Sequence, residues 1–184
     1  MKLLVAFLLM FMAYTHARED VIRVAMKAQL ETPQLRSVVT TDLDGDISET
    51  TIDYVAPDRF RLTQPDTDMI IIGDKTYQNE GGGWNVLEMN MAAIINQYRN
   101  SDMIDGVTLS NVQALGEETL DGKPCVVYSY TQDFEGLISQ DKLWIEKSTG
   151  LPLRLESEGQ VLNTYSKSVI NYSYAGVEIT APVQ

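Results

Sequence analysis

Short apolar segments with a two-residue alternation dominate the chain after Pro33. Leu151, Leu153 and Leu155, for example, are predicted to face one way and Arg154 and Glu156 the other, which gives a strand one dry side and one wet side. Turn-forming pairs such as Asp44-Gly45 and Asp121-Gly122 separate these segments. The pattern predicts a mainly β (α+β) protein: one large, curved antiparallel sheet with a few helices on one side.

Two segments have helical spacing instead. From Arg18 to Leu30, apolar residues recur every three or four positions, and Thr32-Pro33 stops the pattern. A second amphipathic segment follows Trp84. It has two interpretations, a core helix packed on the sheet or a mobile lid over a cavity. The candidate lid residues are Leu87, Met91, Ile94, Ile95 and Tyr98.

Three strand predictions bear on the architecture. Met69–Ile72 is apolar at every position, so we expect it to be covered on both faces, with helices supplying the cover. Val161–Tyr174 is predicted to be one long strand, and Val177–Thr180 a closing strand.

The first 17 residues have the pattern of a cleavable signal peptide. Lys2 gives a positive start, residues 3–14 are apolar, and small residues lead to cleavage after Ala17. The apolar stretch is shorter than the roughly 20 residues that a membrane span needs. An uncleaved anchor or a buried N-terminal helix is the alternative. We therefore expect residues 18–184 to form a single domain in the periplasm, exported and soluble.

The composition of the chain argues against several classes of function. The only cysteine, Cys125, lies far from the cleavage point, which predicts neither a lipid anchor nor an intrachain disulfide. The only histidine, His16, leaves with the signal peptide, which removes Ser-His-Asp catalysis and histidine metal sites. The net charge of −12 argues against nucleic acid as a partner. We expect no catalytic residue, no metal and no cofactor.

An enzyme built on carboxylates is the remaining catalytic alternative. The pairs Glu117-Glu118 and Asp66/Asp68 are the candidates. Both pairs lie near turn residues, so solvated loop charge is the simpler interpretation.

Several segments, taken in order, carry a resemblance to a known family. Residues 56–66 read Ala-Pro-Asp-Arg-Phe-Arg-Leu-Thr-Gln-Pro-Asp, and an apolar strand and the hairpin Gly73-Asp74-Lys75-Thr76-Tyr77 follow. Residues 143–154 read Leu-Trp-Ile-Glu-Lys-Ser-Thr-Gly-Leu-Pro-Leu-Arg, and the chain ends on the apolar and turn residues 172–182. This succession resembles the periplasmic outer-membrane lipoprotein carrier (LolA-like) family and its wider lipoprotein-sorting and lipid-binding superfamily.

The resemblance implies an unclosed β-barrel whose concave apolar face, covered by helices, holds acyl chains. The carrier family has an arginine immediately before its first proline, where this chain has Ala56. That departure favours a general lipid carrier or a sensor over a dedicated lipoprotein shuttle.

The resulting hypothesis is a periplasmic carrier that binds acyl chains of a lipid or lipoprotein in an apolar cavity. The expected lining residues are Phe60, Leu62, Met69, Ile71, Leu87, Met91, Ile95 and Trp144. Envelope membrane proteins are the expected donor or acceptor, and the chain is expected to be a monomer. The alternatives are a non-catalytic envelope sensor of the same fold, which binds lipid or a protein partner, and a packed structural protein without ligand.

Overall fold

The computed structural model describes residues 17–87, 91–161 and 164–182. Three helices lie in these ranges: α1 over residues 17–30, α2 Met91–Tyr98 and α3 Asp102–Asp105. The first of them agrees with the predicted N-terminal helix. The predicted signal peptide lies outside the described residues, apart from Ala17. None of the described helices combines the length and the apolar character that crossing a membrane requires.

Eleven strands in the described ranges form one antiparallel sheet. The strands are β1 Gln34–Leu43, β2 Asp46–Val55, β3 Arg59–Gln64, β4 Thr67–Ile72, β5 Lys75–Asn79, β6 Trp84–Leu87, β7 Thr108–Leu120, β8 Lys123–Phe134, β9 Leu137–Glu146, β10 Pro152–Val161 and β11 Thr164–Ser173. Their order is β6-β5-β4-β3-β2-β1-β11-β10-β9-β8-β7, so β6 and β7 are free edges. The predicted fold class, an unclosed antiparallel sheet with few helices, is confirmed.

Successive side chains of each strand point to opposite faces of this sheet. We call the face on which α1 and α2 pack the inner face, and the other the outer face. Leu143 belongs to the inner face, where it packs with Ile22 of α1. Its neighbour Trp144 belongs to the outer face, where it packs with Val127.

Helix α1 covers the β8–β9 part of the inner face. Ile22 and Ala25 are fully or almost fully buried and pack with Leu143, Ile145 and Tyr130. Their three-residue spacing places both on one side of the helix. The amphipathic pattern therefore fixes which side of α1 faces the sheet.

Two basic residues join α1 to α3 and the start of β7. The Arg23 guanidinium donates to the backbone carbonyls of Ile104, at 2.5 Å, and Val107, at 2.7 Å. Lys27 forms an ion pair with Asp105 at 2.7 Å. Because these contacts link segments about 80 residues apart in sequence, they hold α1 against the loop that leads into β7.

The second predicted helix begins later than its apolar pattern indicates. Leu87 is the last residue of β6, where it pairs with Thr76, and the helix begins at Met91. Leucine fits either a helix or a strand, and here pairing with β5 decides the outcome. Residues 88–90 lie outside the described ranges.

Two strand predictions near the C-terminus are wrong. The predicted strand Val161–Tyr174 is divided: Val161 ends β10 and pairs with Thr164 at the start of β11. The predicted strand Val177–Thr180 pairs with no described strand. Val177 and Ile179 instead pack on the outer face, because Gly176 turns the chain with a φ of 74°.

Strand β4 is covered on both faces, as its apolar run predicts. On the inner face Ile71 packs with Ala92 of α2. On the outer face Ile70 packs with Val177 and Ile179. The inner cover is a helix, as expected, but the outer cover is the irregular C-terminal segment.

Candidate ligand-binding site

Five of the predicted lining residues share the inner face. Phe60 pairs with Ile71 and Leu62 with Met69 across β3 and β4. Leu87 joins them through its pairing with Thr76, which itself pairs with Ile71. Paired residues in an antiparallel sheet point to the same side, so these apolar side chains form one continuous surface.

Helix α2 lies on that surface. Ala92, Met91 and Ile95 pack with Phe60 and Ile71. The side chains of the two remaining lid candidates, Ile94 and Tyr98, lie outside the described residues. The structure therefore brings together seven of the eight lining candidates, with α2 above β3 and β4.

Trp144 lies apart from the others because it is on the outer face. It packs there with Cys125 and Val127, and its indole Nε1 donates to Glu118 Oε2 at 2.8 Å. That hydrogen bond is the main cause of the lowered pKa of Glu118. The Lys142 ammonium lies 4.2 Å from the indole ring centre. Trp144 therefore anchors the outer face and does not line the α2 surface.

Three of the four carboxylates in the two candidate pairs are held in surface contacts. Asp68 forms a bidentate pair with Arg61, at 2.9 and 2.5 Å. Glu117 pairs with Lys147 at 2.6 Å, and Glu118 accepts from Trp144. Three of these carboxylates belong to strands β4 and β7, not to loops, so the loop interpretation is wrong for them.

Arg99 is a residue that sequence reasoning missed. It follows α2, and its guanidinium donates to the carbonyl oxygen of Leu30 at 2.6 Å, at the end of α1. The same group lies 3.6 Å from the ring centre of Tyr54, on β2. Burial lowers the pKa of Arg99. The sequence signal for Arg99 is a single cation at the end of an amphipathic helix. Arg99 thus fastens the end of α2 to both α1 and the sheet.

The inner face changes from apolar to polar toward the hairpin tips of β8–β9 and β10–β11. One row of mutually paired residues, from β1 to β8, is apolar or aromatic: Val39, Ile170, Leu155, Leu143 and Tyr128. The next row toward the tips is polar: Thr41, Ser168, Ser157, Asp141 and Tyr130. We call this second set the polar row.

Asp141 is the buried carboxylate of the polar row. It is 5% exposed and accepts a 2.7 Å hydrogen bond from the Ser157 hydroxyl. Burial raises the pKa of Asp141, although hydrogen bonds from Ser157 and its neighbours oppose the shift. Tyr130 beside it is 2% exposed. Burial, and after it the Asp141 charge, raises the pKa of Tyr130 well above its ordinary value.

Replacing Asp141 with asparagine is expected to stabilise the fold at neutral pH and to change little in acid. Because the folded state raises the pKa of this carboxyl, ionisation above the folded pKa disfavours folding, and asparagine avoids that cost. Below the unfolded pKa of about 3.9, both states hold the proton and the advantage disappears. Urea unfolding at pH 7 and at pH 3.5 measures the difference. An equal change in the free energy of unfolding at both pH values would show that ionisation of Asp141 does not cause the effect.

An open antiparallel sheet that carries helices on one face is the architecture of the lipoprotein carrier fold. No protein-family model matches this chain, and no curated protein matches it in sequence. Solved structures do match. The lipoprotein LppX of Mycobacterium tuberculosis is 17% identical, with a TM-score of 0.64 over 89% of this chain and 98% of LppX. LprF from Mycobacterium bovis is 14% identical, with a TM-score of 0.65 over 91% of this chain and 98% of LprF.

MucB shares the fold over part of its length. It is 19% identical, with a TM-score of 0.52 over 91% of this chain and 63% of MucB. MucB in the Pseudomonas aeruginosa MucA/MucB complex is similar at 18% identity, with a TM-score of 0.50 over 88% of this chain and 59% of that one. At these identities the likeness shows the fold, and it confirms the fold that the family resemblance implies.

Proposed function

We propose that this chain binds acyl chains of a lipid or lipoprotein on its inner face and carries them across the bacterial envelope. The observation that carries the proposal is the α2 surface. There an apolar patch around Phe60 and Ile71 is covered by one eight-residue helix. A second sheet would cover the patch permanently, whereas a short helix can be displaced. The fold shared with LppX and LprF supports the same function.

The energetics of acyl chains explain why a carrier needs such a surface. Burying one CH₂ group is favourable by roughly 0.8 kcal/mol, so a sixteen-carbon chain needs about 12 kcal/mol of shelter in water. The same attraction makes release slow. A protein segment that packs on the empty binding surface competes with the ligand for that surface and so assists release of the ligand.

Helix α2 suits this competition because of its length and its contacts. An isolated helix of eight residues is marginal in water, so α2 depends on packing with Phe60 and Ile71 for its order. An acyl chain that occupies this surface displaces Met91 and Ile95 from it. Arg99, which fastens the end of α2, sets how readily the helix is displaced.

Compartment and partners follow from the same proposal. The predicted signal peptide directs the chain to the periplasm, where it acts as a soluble monomer without a lipid anchor. Membrane proteins of the envelope deliver the ligand or receive it. Binding and transfer, without catalysis, are sufficient for this function.

A second candidate is an envelope sensor of the same fold that binds a protein partner. The MucA/MucB complex favours it, because there a protein of this fold is bound to another protein. Transfer of a labelled lipid between two vesicle populations supports carriage. Specific capture of one envelope protein, with no vesicle-to-vesicle transfer, supports sensing.

Native mass spectrometry of the chain purified from periplasm without detergent tests the proposal first. We expect adducts whose masses match acyl lipids, and uptake of an added fluorescent sixteen-carbon fatty acid by the delipidated protein. A single apo mass together with no uptake would refute acyl binding and favour a packed protein.

Carboxylates on the inner side of α2 are expected to weaken acyl binding. Met91→Asp and Ile95→Asp each place a charge where α2 meets the apolar surface, and losing about 1.5–3 kcal/mol of apolar burial weakens binding at least tenfold. Titration with the fluorescent fatty acid measures the affinity. Asn96→Asp adds the same charge to an exposed position of the same helix and is the control. Unchanged affinity in folded Met91 and Ile95 variants would show that α2 is not the lid.

A further inference from the structure

Three neighbouring hairpin tips lie at one end of the sheet. Leu43 at the end of β1 pairs with Ser166 near the start of β11, so the β1–β2 and β10–β11 tips are neighbours. Ser139 near the start of β9 pairs with Gly159 near the end of β10, which places the β8–β9 tip beside them. Residues from five adjacent strands therefore meet at this end.

These tips expose large apolar side chains on the outer face. Ile47 of β2, Ile138 of β9 and Tyr165 of β11 are 68, 56 and 49% exposed. The strand registers place all three on the outer face, opposite α1 and α2. We call these three side chains the tip surface. Apolar side chains that are exposed together in this way mark an interaction site more often than single ones do.

A groove of about 620 Å³ lies at two members of the tip surface. Its lining includes Ile138 and Tyr165, which belong to the two strands that flank β10, and also Gln140, Glu158 and Gln160. The Tyr165 hydroxyl donates to Glu158 at 2.7 Å, which holds the ring at the groove. The groove therefore offers apolar groups on both sides of carboxylate and amide acceptors.

Acidic residues surround the tip surface. Lys167, the lysine next to it on β11, is held by Glu158 at 2.7 Å. Elsewhere on the outer face, carboxylates such as Asp53 and Asp68 are paired with arginine. Six carboxylates at the tips form no ion pair within the described ranges: Asp42, Asp44, Asp46, Glu49, Asp133 and Glu135.

This combination of apolar and acidic groups determines the kind of partner that fits. Anionic lipid head groups and a second copy of this acidic chain would both be repelled by the carboxylates. Lysine or arginine side chains would be attracted to them, and apolar side chains of the same segment would cover Ile138 and Tyr165. The matching partner is therefore a basic protein segment that also carries apolar residues.

The width of the tip surface sets the length of that segment. Ile47 on β2 and Ile138 on β9 are four strand spacings apart in the sheet, which is about 19 Å. An extended segment of about six residues spans this distance.

We propose that the tip surface docks a basic segment of a partner protein, about six residues long or longer, in which lysine or arginine is interspersed with apolar side chains. The tip surface and the α2 surface lie on opposite faces of the sheet. Docking therefore goes beyond the proposed function and does not require acyl binding.

Photo-crosslinking in the native envelope tests where the partner docks and what its chemistry is. The photoreactive residue p-benzoylphenylalanine replaces Ile138 or Tyr165 in the full chain. Leu115 on the edge strand β7 is the control position, because it is similarly exposed, at 52%. We expect crosslinks at Ile138 and Tyr165 and not at Leu115. Mass spectrometry is expected to assign them to a protein segment in which basic residues outnumber acidic ones.

A synthetic peptide of the crosslinked segment then tests the apolar contribution. Ile138→Ser removes apolar area that the docked segment covers, so we expect binding at least about fivefold weaker. Leu115→Ser removes a similarly exposed apolar side chain on β7 and is expected to leave the affinity unchanged. Fluorescence titration of the labelled peptide measures both.

Charge reversal tests the acidic contribution with the same peptide. Glu49→Lys changes an exposed carboxylate near Ile47, and we expect binding at least about threefold weaker at low ionic strength. The difference is expected to disappear at about 0.5 M salt, because the ions screen exposed charges. Asp74→Lys makes the same change at an exposed turn at the opposite end of the sheet and is the control.

Several outcomes would overturn the docking site. They are no crosslink at either tip position, equal crosslinking at Leu115, and crosslinks only to lipid, to a second copy or to an acidic segment. Equal losses of affinity in the tip variants and their controls would overturn it as well. Uptake of the fluorescent fatty acid by Ile138→Ser and Glu49→Lys reports on acyl binding separately. We expect it to be unchanged, and its loss in both variants would contradict the separation of the two surfaces.

Discussion

Replacing Leu143 with alanine is expected to lower the free energy of unfolding by about 3 kcal/mol. Leu143 is 2% exposed and packs with Ile22 and Ala25 of α1, at the centre of the largest inner-face cluster. Truncating a buried leucine removes its transfer free energy and leaves a cavity, which together cost about 2–5 kcal/mol. Urea unfolding followed by circular dichroism measures the change.

Leu137 provides a matched control for this prediction. It lies on the same strand and, by register, on the same face, but it is 60% exposed at the hairpin tip. Leu137→Ala is therefore expected to change the free energy of unfolding by less than about 0.5 kcal/mol. Similar losses in the two variants would mean that α1 does not pack over Leu143.

Alternation made most of the sheet predictable from the sequence. In β3 it placed Phe60 and Leu62 on one side, and their pairing with Ile71 and Met69 of β4 agrees. Within one strand, every second residue points to the same side, so the sequence shows which residues share a side. Which side faces the helices depends on how separate strands align, and a shift of one residue reverses it.

Trp144 illustrates this limit. Leu143 and Trp144 are adjacent and both large and apolar, so the sequence of β9 alone is compatible with either one facing inward. The choice depends on partners distant in sequence: Ile22 packs against Leu143, and Glu118 accepts the indole hydrogen bond. Neither partner is visible from the local pattern.

The polar row was hidden for a related reason. Its members are single serines, a threonine, an aspartate and a tyrosine on five different strands, each ordinary in its own segment. Only the full set of strand registers brings Thr41, Ser168, Ser157 and Asp141 side by side. A row of residues formed across a sheet in this way has no local sequence signal.

The inner face therefore has two parts. The surface beneath α2 is apolar, whereas the polar row lies toward the hairpin tips of β8–β9 and β10–β11. Charge on the outer face is largely paired, as in Arg36 with Asp53 and Arg61 with Asp68, so it contributes to the sheet surface and not to the site. In the proposed function, ligand exchange depends on helix α2, because this helix covers the apolar surface.

Replacing Arg99 with alanine is expected to open α2 in the unliganded protein. The variant loses a charged hydrogen bond, worth about 1.5–3 kcal/mol, and a cation–π contact worth about 0.5–1 kcal/mol. A loss of about 3 kcal/mol increases local opening on the order of a hundredfold. Hydrogen exchange of the amides of Met91–Tyr98 is expected to accelerate by that factor, and uptake of the fluorescent fatty acid to become faster.

Arg59 provides the matched control, because its guanidinium also donates to a backbone carbonyl. Its acceptor is Ile179, at 3.1 Å, in the C-terminal segment that packs on the outer face. Arg59→Ala is expected to loosen that segment and to leave both α2 exchange and fatty-acid uptake unchanged. If Arg99→Ala accelerates neither process, α2 is held by its apolar contacts alone. If Arg59→Ala accelerates uptake equally, access to the site is controlled by the stability of the whole sheet and not by the fastening of α2.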